Sequence, residues 1–337
     1  PDMHQEVIDA MMTEPDARLF LHTGDLVSDG ESADQWLQFF AIEEPLMRTL
    51  PGYMVVGNHE EYLGGADLFE EFFAPPRNSP QELFYSFDYG NVHFLAVDQH
   101  VHAHLLAECI LEYDLWVQYC LTLEQRSWIE ADLAAAAANA EIDHIIVNTH
   151  VGPFSSKVGR SGSQPMRRLL PALHAAGATL LLSGHDHYYY EHGVAAHGLH
   201  YIITAGGGAP LYDVGAPSLQ PHEVVYNESI RHYLVIDVDG RTLTITAKTP
   251  DGMVLESFEI ERVDECTVDA DCANKPPPPN CGPEVSCSVA GRCAFECVVE
   301  GAGNPFEEPE PEPEPDAAGD EPDAGPTDDA EVEADIA

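Results

Sequence analysis

Two periodicities alternate along the first two-thirds of the chain. Val7, Ile8, Met11 and Met12 share one face of a helix over His4 to Thr13. Pro15-Asp16 ends it, and Leu19-Phe20-Leu21 begins a strand running into Gly24-Asp25. Helical spacing returns from Trp36 to Leu50, stops at Pro51-Gly52, and a second short strand, Tyr53–Val56, ends on Gly57-Asn58-His59-Glu60. Within 61–82, Phe69, Phe72 and Phe73 keep a helical pattern. Phe84–Asp88 and Val92–Val97 read as a β-hairpin turning at Gly90-Asn91. Residues 99–121 read as a partly helical excursion above the sheet edge. Leu123–Ala140 predicts a helix, Ile145–Asn148 a buried strand ending at Thr149-His150, and Pro165–Ala176 another helix. Thr179–Leu182 is then a strand ending on Ser183-Gly184-His185-Asp186-His187. His200–Thr204, Tyr233–Val238, Thr242–Thr249 and Val254–Ile260 alternate like antiparallel strands. Helices and strands alternate first and strands follow strands later, so the class is α/β with an antiparallel second sheet.

Composition changes near Val263. The stretch to Cys297 is poor in large apolar residues and interrupted by Pro276–Pro279, and beyond Glu300 the chain runs in Pro/Glu/Asp/Ala repeats that cannot bury enough apolar area to offset chain entropy. Against 59 Asp+Glu there are 14 Lys+Arg, a formal charge of −45, and residues 301–337 hold 14 of the acids and no base. That balance argues against nucleic acid and anionic lipid as partners, since both are held by clustered Lys and Arg. No run approaches the roughly 18 apolar residues of a membrane helix. Six of the eight cysteines fall between Cys266 and Cys297, spaced x5, x8, x5, x5 and x3. A zinc module favours close Cys pairs, and only Cys293 and Cys297 qualify, so three disulfides fit better and imply an oxidising compartment: secreted, periplasmic or cell-surface.

The chemistry sits at strand ends. Asp25, Asn58 with His59, His150, and His185 with His187 each follow an apolar run and have a glycine or turn beside them. Alternate histidines past a strand reach one small volume. Carboxylate, amide oxygen and imidazole without thiolate suit Mn, Fe or Zn in a reactive site rather than a structural zinc. The donors are too many for one tetrahedral ion, and a carboxylate-bridged pair of metals is a recurring device for phosphoester displacement.

The order Gly24-Asp25, Gly57-Asn58-His59-Glu60, His150, Gly184-His185-Asp186-His187 resembles the calcineurin-like metallophosphoesterase superfamily. Tyr85–Phe94, Leu123-Glu124-Gln125 with Trp128, and Tyr190-Glu191 make it similar to the purple acid phosphatase-like branch, over roughly residues 4–262. The resemblance implies a four-layer αββα sandwich, two mixed β-sheets flanked by helices. It implies two divalent or trivalent ions (Fe, Mn or Zn), with Asp25 bridging, Asn58, His150 and His185 on the second metal and His187 on the first. His59 would be proton donor or transition-state stabiliser, and a hydroxide between the metals the nucleophile. Residues 1–262 would form the catalytic domain, 263–299 a Cys-rich module, and 300–337 a disordered tail. Two departures stand out. The purple branch has a tyrosine three residues after the motif aspartate, where this chain has Ser28. The family's first motif matches Asp2-Met3-His4 literally, yet no strand precedes it; the better account starts a helix at Met3-His4 and puts the first strand upstream of Pro1.

The remaining signals are weaker. His100, His102 and His104 fit a solvated loop near the mouth, and Cys109 with Cys120 fits either a disulfide or two buried thiols. Arg160, Arg167 and Arg168 fit a solvated helix face better than a phosphate clamp, and Tyr188–Tyr190 either wall the pocket or pack. Gly206–Gly208 lacks the spacing of a nucleotide loop. The sequence therefore predicts a metal-dependent phosphoric ester hydrolase, acid phosphatase-like, acting on a small-molecule or protein phosphomonoester. The alternatives are a phosphodiesterase or nucleotidase on the same site, and a non-catalytic exported binding module with a degraded metal site.

Overall fold

In the computed structural model the described residues are 1–297, apart from 62–65, 82, 101–107, 111–118, 158, 188, 196–197, 212–221 and 279–280. The expected Pro-rich tail, and His102 and His104, lie outside them. Helices α1 (Asp2–Met11) and α2 (Ala33–Met47) enclose strand β1 (Phe20–His22) in the chain, and β2 (Gly52–Met54) and α3 (Asp67–Phe72) follow. Next come the hairpin β3 (Tyr85–Tyr89) and β4 (Val92–Val97), α4 (Leu123–Ala138), β5 (His144–Thr149), α5 (Gln164–Ala175) and β6 (Ala178–Ser183). Then β7 (Tyr189–Ala195), β8 (His200–Thr204) and β9 (His222–Ser229) lead to a meander, β10 (Tyr233–Asp239), β11 (Thr242–Lys248) and β12 (Val254–Glu261).

A seven-stranded sheet has the order β3-β4-β5-β6-β8-β7-β9. Its central strands β4, β5, β6 and β8 are mutually parallel, and β3 and β7 run antiparallel to their neighbours. The central strands are buried on both faces, which is why their sequences read as near-continuous apolar runs. One face, including Leu95, Val97, Ile145, Val147 and Leu181, packs on Ile129 and Leu133 of α4 and Leu169, Leu170 and Leu173 of α5. The other face presents Val92, Phe94, Ile146, Leu180 and Ile202 to Leu243, Ile245 and Ala247 of the β10-β11-β12 meander, with Leu21 of β1 and Leu19 just before it packed alongside. The parallel pair β1-β2 extends that second layer. Helix α2 covers β1 and β2 through Trp36, Phe39, Ile42 and Leu46, while Val7 and Ala10 of α1 pack on Tyr233 of β10. The result is the αββα sandwich. Each fully buried Leu or Ile contributes about 1.5–3 kcal/mol to it.

Helix starts are fixed chemically: the side chains of Ser32, Thr122 and Ser163 accept from the backbone N–H of Gln35, Gln125 and Met166. Two sequence expectations need correction. His200–Thr204 is not part of an antiparallel array: β8 is parallel to β6 and antiparallel only to β7. Strands β7 and β9 were not anticipated; in β7 buried polar groups interrupt the alternation, and Glu191 accepts from the Tyr201 hydroxyl at 2.9 Å and from Ser156.

After β12 comes a one-turn helix, α6 (Asp269–Cys272), then the hairpin β13 (Cys281–Cys287) and β14 (Cys293–Cys297), tied by Cys266–Cys287, Cys272–Cys293 and Cys281–Cys297. In the chain-entropy account, loops of this length are worth roughly 3 kcal/mol each. Within the segment Glu265 takes Lys275 at 3.1 Å and Arg292 at 3.2 Å, and His174 of α5 lies 3.8 Å from the same carboxylate. Cys109 and Cys120 also form a disulfide.

His93 on β4 links two elements across its layer, with Nδ1 2.7 Å from Asp88 and Nε2 2.9 Å from Asp132 of α4. Burial opposes its charge, but the two carboxylates outweigh burial and raise its pKa. A folded pKa above the unfolded value gives stability that is full below about pH 6.5 and is lost as pH rises through the folded pKa. The melting temperature of the wild type should therefore fall, relative to His93→Gln, as pH rises from about 6 to 8. Parallel thermal melts of the two proteins across that range test this.

Candidate metal centre

Four segments meet at the C-terminal ends of the strands: residues 23–25 after β1, 57–60 after the β2 strand, His150 after β5 and 184–187 after β6. Backbone geometry there is unusual. Asp25 (φ 55°) and His185 (φ 65°) are the two non-glycine residues with positive φ among the described residues. Such conformations cost about 1 kcal/mol or more each and persist only where surroundings impose them. Close approach is part of that imposition: a Cβ on Gly57 would lie 2.2 Å from Asp25 Oδ1, and one on Gly24 2.6 Å from His150 Nδ1.

Glu60, 2 % exposed, fixes the turn. Its Oε2 accepts from the N–H of Asp25 (2.9 Å) and Gly57 (2.7 Å), and its Oε1 from Val27 (3.1 Å). Burial and the charge of Asp25 push its pKa up to about 7. Asp25 Oδ1 accepts from the backbone N–H of His59 at 3.1 Å.

Around this frame the predicted donors converge. Asp25 Oδ2 lies 3.2 Å from His150 Nε2 and 3.5 Å from His187 Nε2. Asn58 Oδ1 is 3.0 Å from His150 Nε2 and 2.9 Å from His185 Nδ1, and those two ring nitrogens are 3.2 Å apart. His150 Nδ1 faces the Thr23 carbonyl at 2.7 Å, so Nδ1 carries the proton and Nε2 presents its lone pair. Donor atoms of Asp25, His150 and His185 form one group within 4.8 Å, and those of Asp25, His59 and His187 another. The arrangement thus brings together all six residues singled out in the sequence.

Electrostatics follow from this crowding. Burial works against ionisation of Asp25, but His150 beside it, with His187 and His59, holds its carboxyl well below the usual range. Burial also opposes charge on His150, yet Asp25 raises its pKa; burial, aided by His150 and Arg160, drives His185 well below the ordinary histidine value. Asp25 Oδ2 is buried with no hydrogen bond among the described residues. An orphaned carboxylate oxygen, an amide oxygen and imidazole lone pairs aimed at one space fit a cation.

A model of the calcineurin-like phosphoesterase family matches residues 2–189. The chain belongs to that family. An uncharacterised protein of Mycobacterium tuberculosis is 29 % identical over 183 residues, 50 % of this chain and 34 % of its own. A protein of Arabidopsis thaliana named probable inactive purple acid phosphatase 1 is 24 % identical over 286 residues, 74 % of this chain and 44 % of its own. The chain therefore spans a third to under half of these relatives' length. A purple acid phosphatase from yellow lupin (Lupinus luteus) seeds shares the fold with a TM-score of 0.61 at 21 % identity, over 77 % of this chain and 49 % of that one. Two of these three likenesses are to proteins named purple acid phosphatases.

Several residues stand differently from the sequence reading. Arg160 is not on a solvated helix face: its Nη1 lies 3.0 Å from Asp186 Oδ1, whose other oxygen accepts from Ser155 at 2.6 Å. Arg167 donates to the carbonyls of Pro153 and Ser161, closing the loop before α5. His4, by contrast, lies in a helix as the sequence favoured: it sits inside α1, bonded to Glu43 of α2 at 2.8 Å rather than grouped with the donors. Gly208 backs onto His4 and Gly206 onto His232. The Tyr119 hydroxyl, unnoticed in the sequence, meets His185 Nε2 at 3.2 Å. Ser28 turns its hydroxyl to Gln35 at 3.0 Å while its carbonyl accepts from His59 Nδ1, also at 3.0 Å.

Gly57→Ala should displace the Asp25 carboxylate. Thermal unfolding should show a loss of about 1–3 kcal/mol, and titration with Mn2+ should show weakened binding.

Proposed function

We propose that the chain hydrolyses phosphate esters, monoesters foremost, at a pair of metal ions bridged by Asp25. The observation that carries this reading is that Asp25 belongs to both donor groups and keeps a buried oxygen without a hydrogen bond. Asn58, His150 and His185 would hold one ion with Asp25, and His187 would hold the other. When bound, such a pair acidifies water at neutral pH and neutralises charge developing on phosphoryl oxygens.

The chain's own groups supply the rest. Glu60 and the Gly57 contact hold Asp25 in place before substrate arrives, so the centre need not reorganise during the reaction. His59 has Nδ1–H committed to the Ser28 carbonyl, so its imidazolium would carry the second proton on Nε2, pass it to the departing alkoxide and be left as the neutral Nδ1–H ring. Arg160, anchored by Asp186, adds positive charge beside His185. Ser28 offers no phenolate, which leaves the nitrogen and oxygen donors suited to Fe, Mn or Zn. The disulfides support an oxidising compartment, as in a secreted, periplasmic or cell-surface protein. Among the described residues no helix is long and apolar enough to cross a membrane.

Turnover of p-nitrophenyl phosphate should disappear on chelation and return with Mn2+ or Zn2+, and should exceed turnover of the bis(p-nitrophenyl) diester. His185→Ala should lower kcat/KM about 100-fold or more. His59→Ala should lower kcat by about 100-fold with metal content unchanged. Turnover indifferent to chelation and to His185→Ala would sink the reading. Two bound equivalents without turnover would favour a metal-binding but non-catalytic module, a reading that the name of the Arabidopsis relative keeps in view.

A further inference from the structure

A second collection of donor side chains lies beside the first and shares none of its residues. Strand β4 ends at Val97, and Asp98-Gln99-His100 turns away from it. That turn is held firmly. Gln99 donates to the Thr149 hydroxyl at 2.6 Å and to the Val151 carbonyl, and accepts from Ser163. His100 forms a β-bridge with Tyr119, and the Cys120 N–H donates to the Gln99 carbonyl at 2.8 Å. Glu61 arrives from the other direction, following the turn that Glu60 locks.

The three side chains of Glu61, Asp98 and His100 are 8 %, 2 % and 7 % exposed. His100 Nδ1 is 3.1 Å from Asp98 Oδ1 and 3.6 Å from Glu61 Oε2. One donor atom from each falls within 4.8 Å of the others, a spread that bonds of about 2.0–2.4 Å to a single ion would span. His100 Nε2 is buried and makes no hydrogen bond among the described residues, so the ring's polar attachment there runs through Nδ1 to the two carboxylates. Two carboxylates and an imidazole gathered at that spacing are the oxygen and nitrogen donor types that a divalent transition ion takes.

We infer that Glu61, Asp98 and His100 form a third cation site, which takes a divalent transition ion of the Mn2+ or Zn2+ type. The ion clamps the turn after β4 to the loop after β2. The site stands next to the principal centre, since the His100 and His150 rings lie 5.7 Å apart. It does not depend on the principal centre's being dinuclear.

Elemental analysis and calorimetric titration with Mn2+ alone, on the chelator-stripped full chain, test it. The wild type should bind one equivalent more than His100→Gln and one more than Glu61→Gln, with circular dichroism verifying that both variants fold. Asp25→Ala, which removes the ligand common to both positions of the principal centre, should retain one equivalent. Equal stoichiometry in the wild type and both variants, or no retained equivalent in Asp25→Ala, overturns the third site. Equivalents lost in Asp25→Ala but in neither of the other two leave the principal centre standing and remove the third. The converse pattern supports the third site and removes the principal one.

Discussion

One buried carboxylate organises this molecule. Asp25 follows a strand in the left-handed region, and that conformation, the Gly57 contact and the hydrogen bond from His59 to Oδ1 leave its other oxygen facing the imidazoles of His150 and His187. A carboxylate in that position is stable only with positive charge close by. His150 and His187 lie within ion-pair reach, and the donors beyond them complete two groups with Asp25 as common member. Glu60 has the opposite character. It is buried, its pKa is pushed upward, and its oxygens are taken up by three backbone N–H groups, so it acts as a brace. The two acids lie in one turn system and are separated by what surrounds their oxygens.

The sandwich exists to keep that turn and the histidine loops in register. β1 and β2 pair in parallel from Phe20↔Gly52 to His22↔Met54, and the Val55 N–H donates to the His22 carbonyl at 3.1 Å, which sets the Asp25 and Asn58 loops side by side. The second layer is laced to the seven-stranded sheet at the same end. Asn148 donates to the His22 carbonyl at 3.1 Å, and His150 Nδ1 to the Thr23 carbonyl at 2.7 Å. At the far end Asn91 donates to the Gly240 carbonyl at 2.7 Å. With both ends tied, movement of one layer across the other would break these hydrogen bonds, at about 0.5–1.5 kcal/mol each. The donors are therefore preorganised.

What was legible in the sequence follows from this construction. Parallel central strands are apolar on both faces, so an apolar run followed by a donor marks a strand end at the sheet edge, which made His150, His185 and His187 visible. Asp25 and Asn58 follow the short second-layer strands β1 and β2 and were visible from the glycine before each. Strand β7 was hidden because Glu191 and His192 are buried among polar partners, which breaks period-two alternation. The direction of β8 was hidden because alternation does not distinguish parallel from antiparallel pairing. Tyr119 and Arg160 act across loops, and linear spacing carries no trace of such contacts. His100 misled for the converse reason: a polar stretch with alternate histidines reads as solvated, yet Asp98 and Glu61 draw this ring into the interior.

The chain's charge sharpens the functional argument. A protein at −45 repels phosphate esters at long range, so attraction must be generated locally. At physiological ionic strength the repulsive field decays over about 8 Å, and a cationic centre can dominate once substrate reaches the mouth. Arg160, held by Asp186 beside the centre, contributes there, but one guanidinium paired with a carboxylate is close to neutral at a distance. On the proposed reading, the ions that Asp25 and its partners would hold add positive potential at that edge. They would then do more than activate water: they would help so acidic a surface receive an anion, and loss of ions should weaken substrate binding as well as turnover.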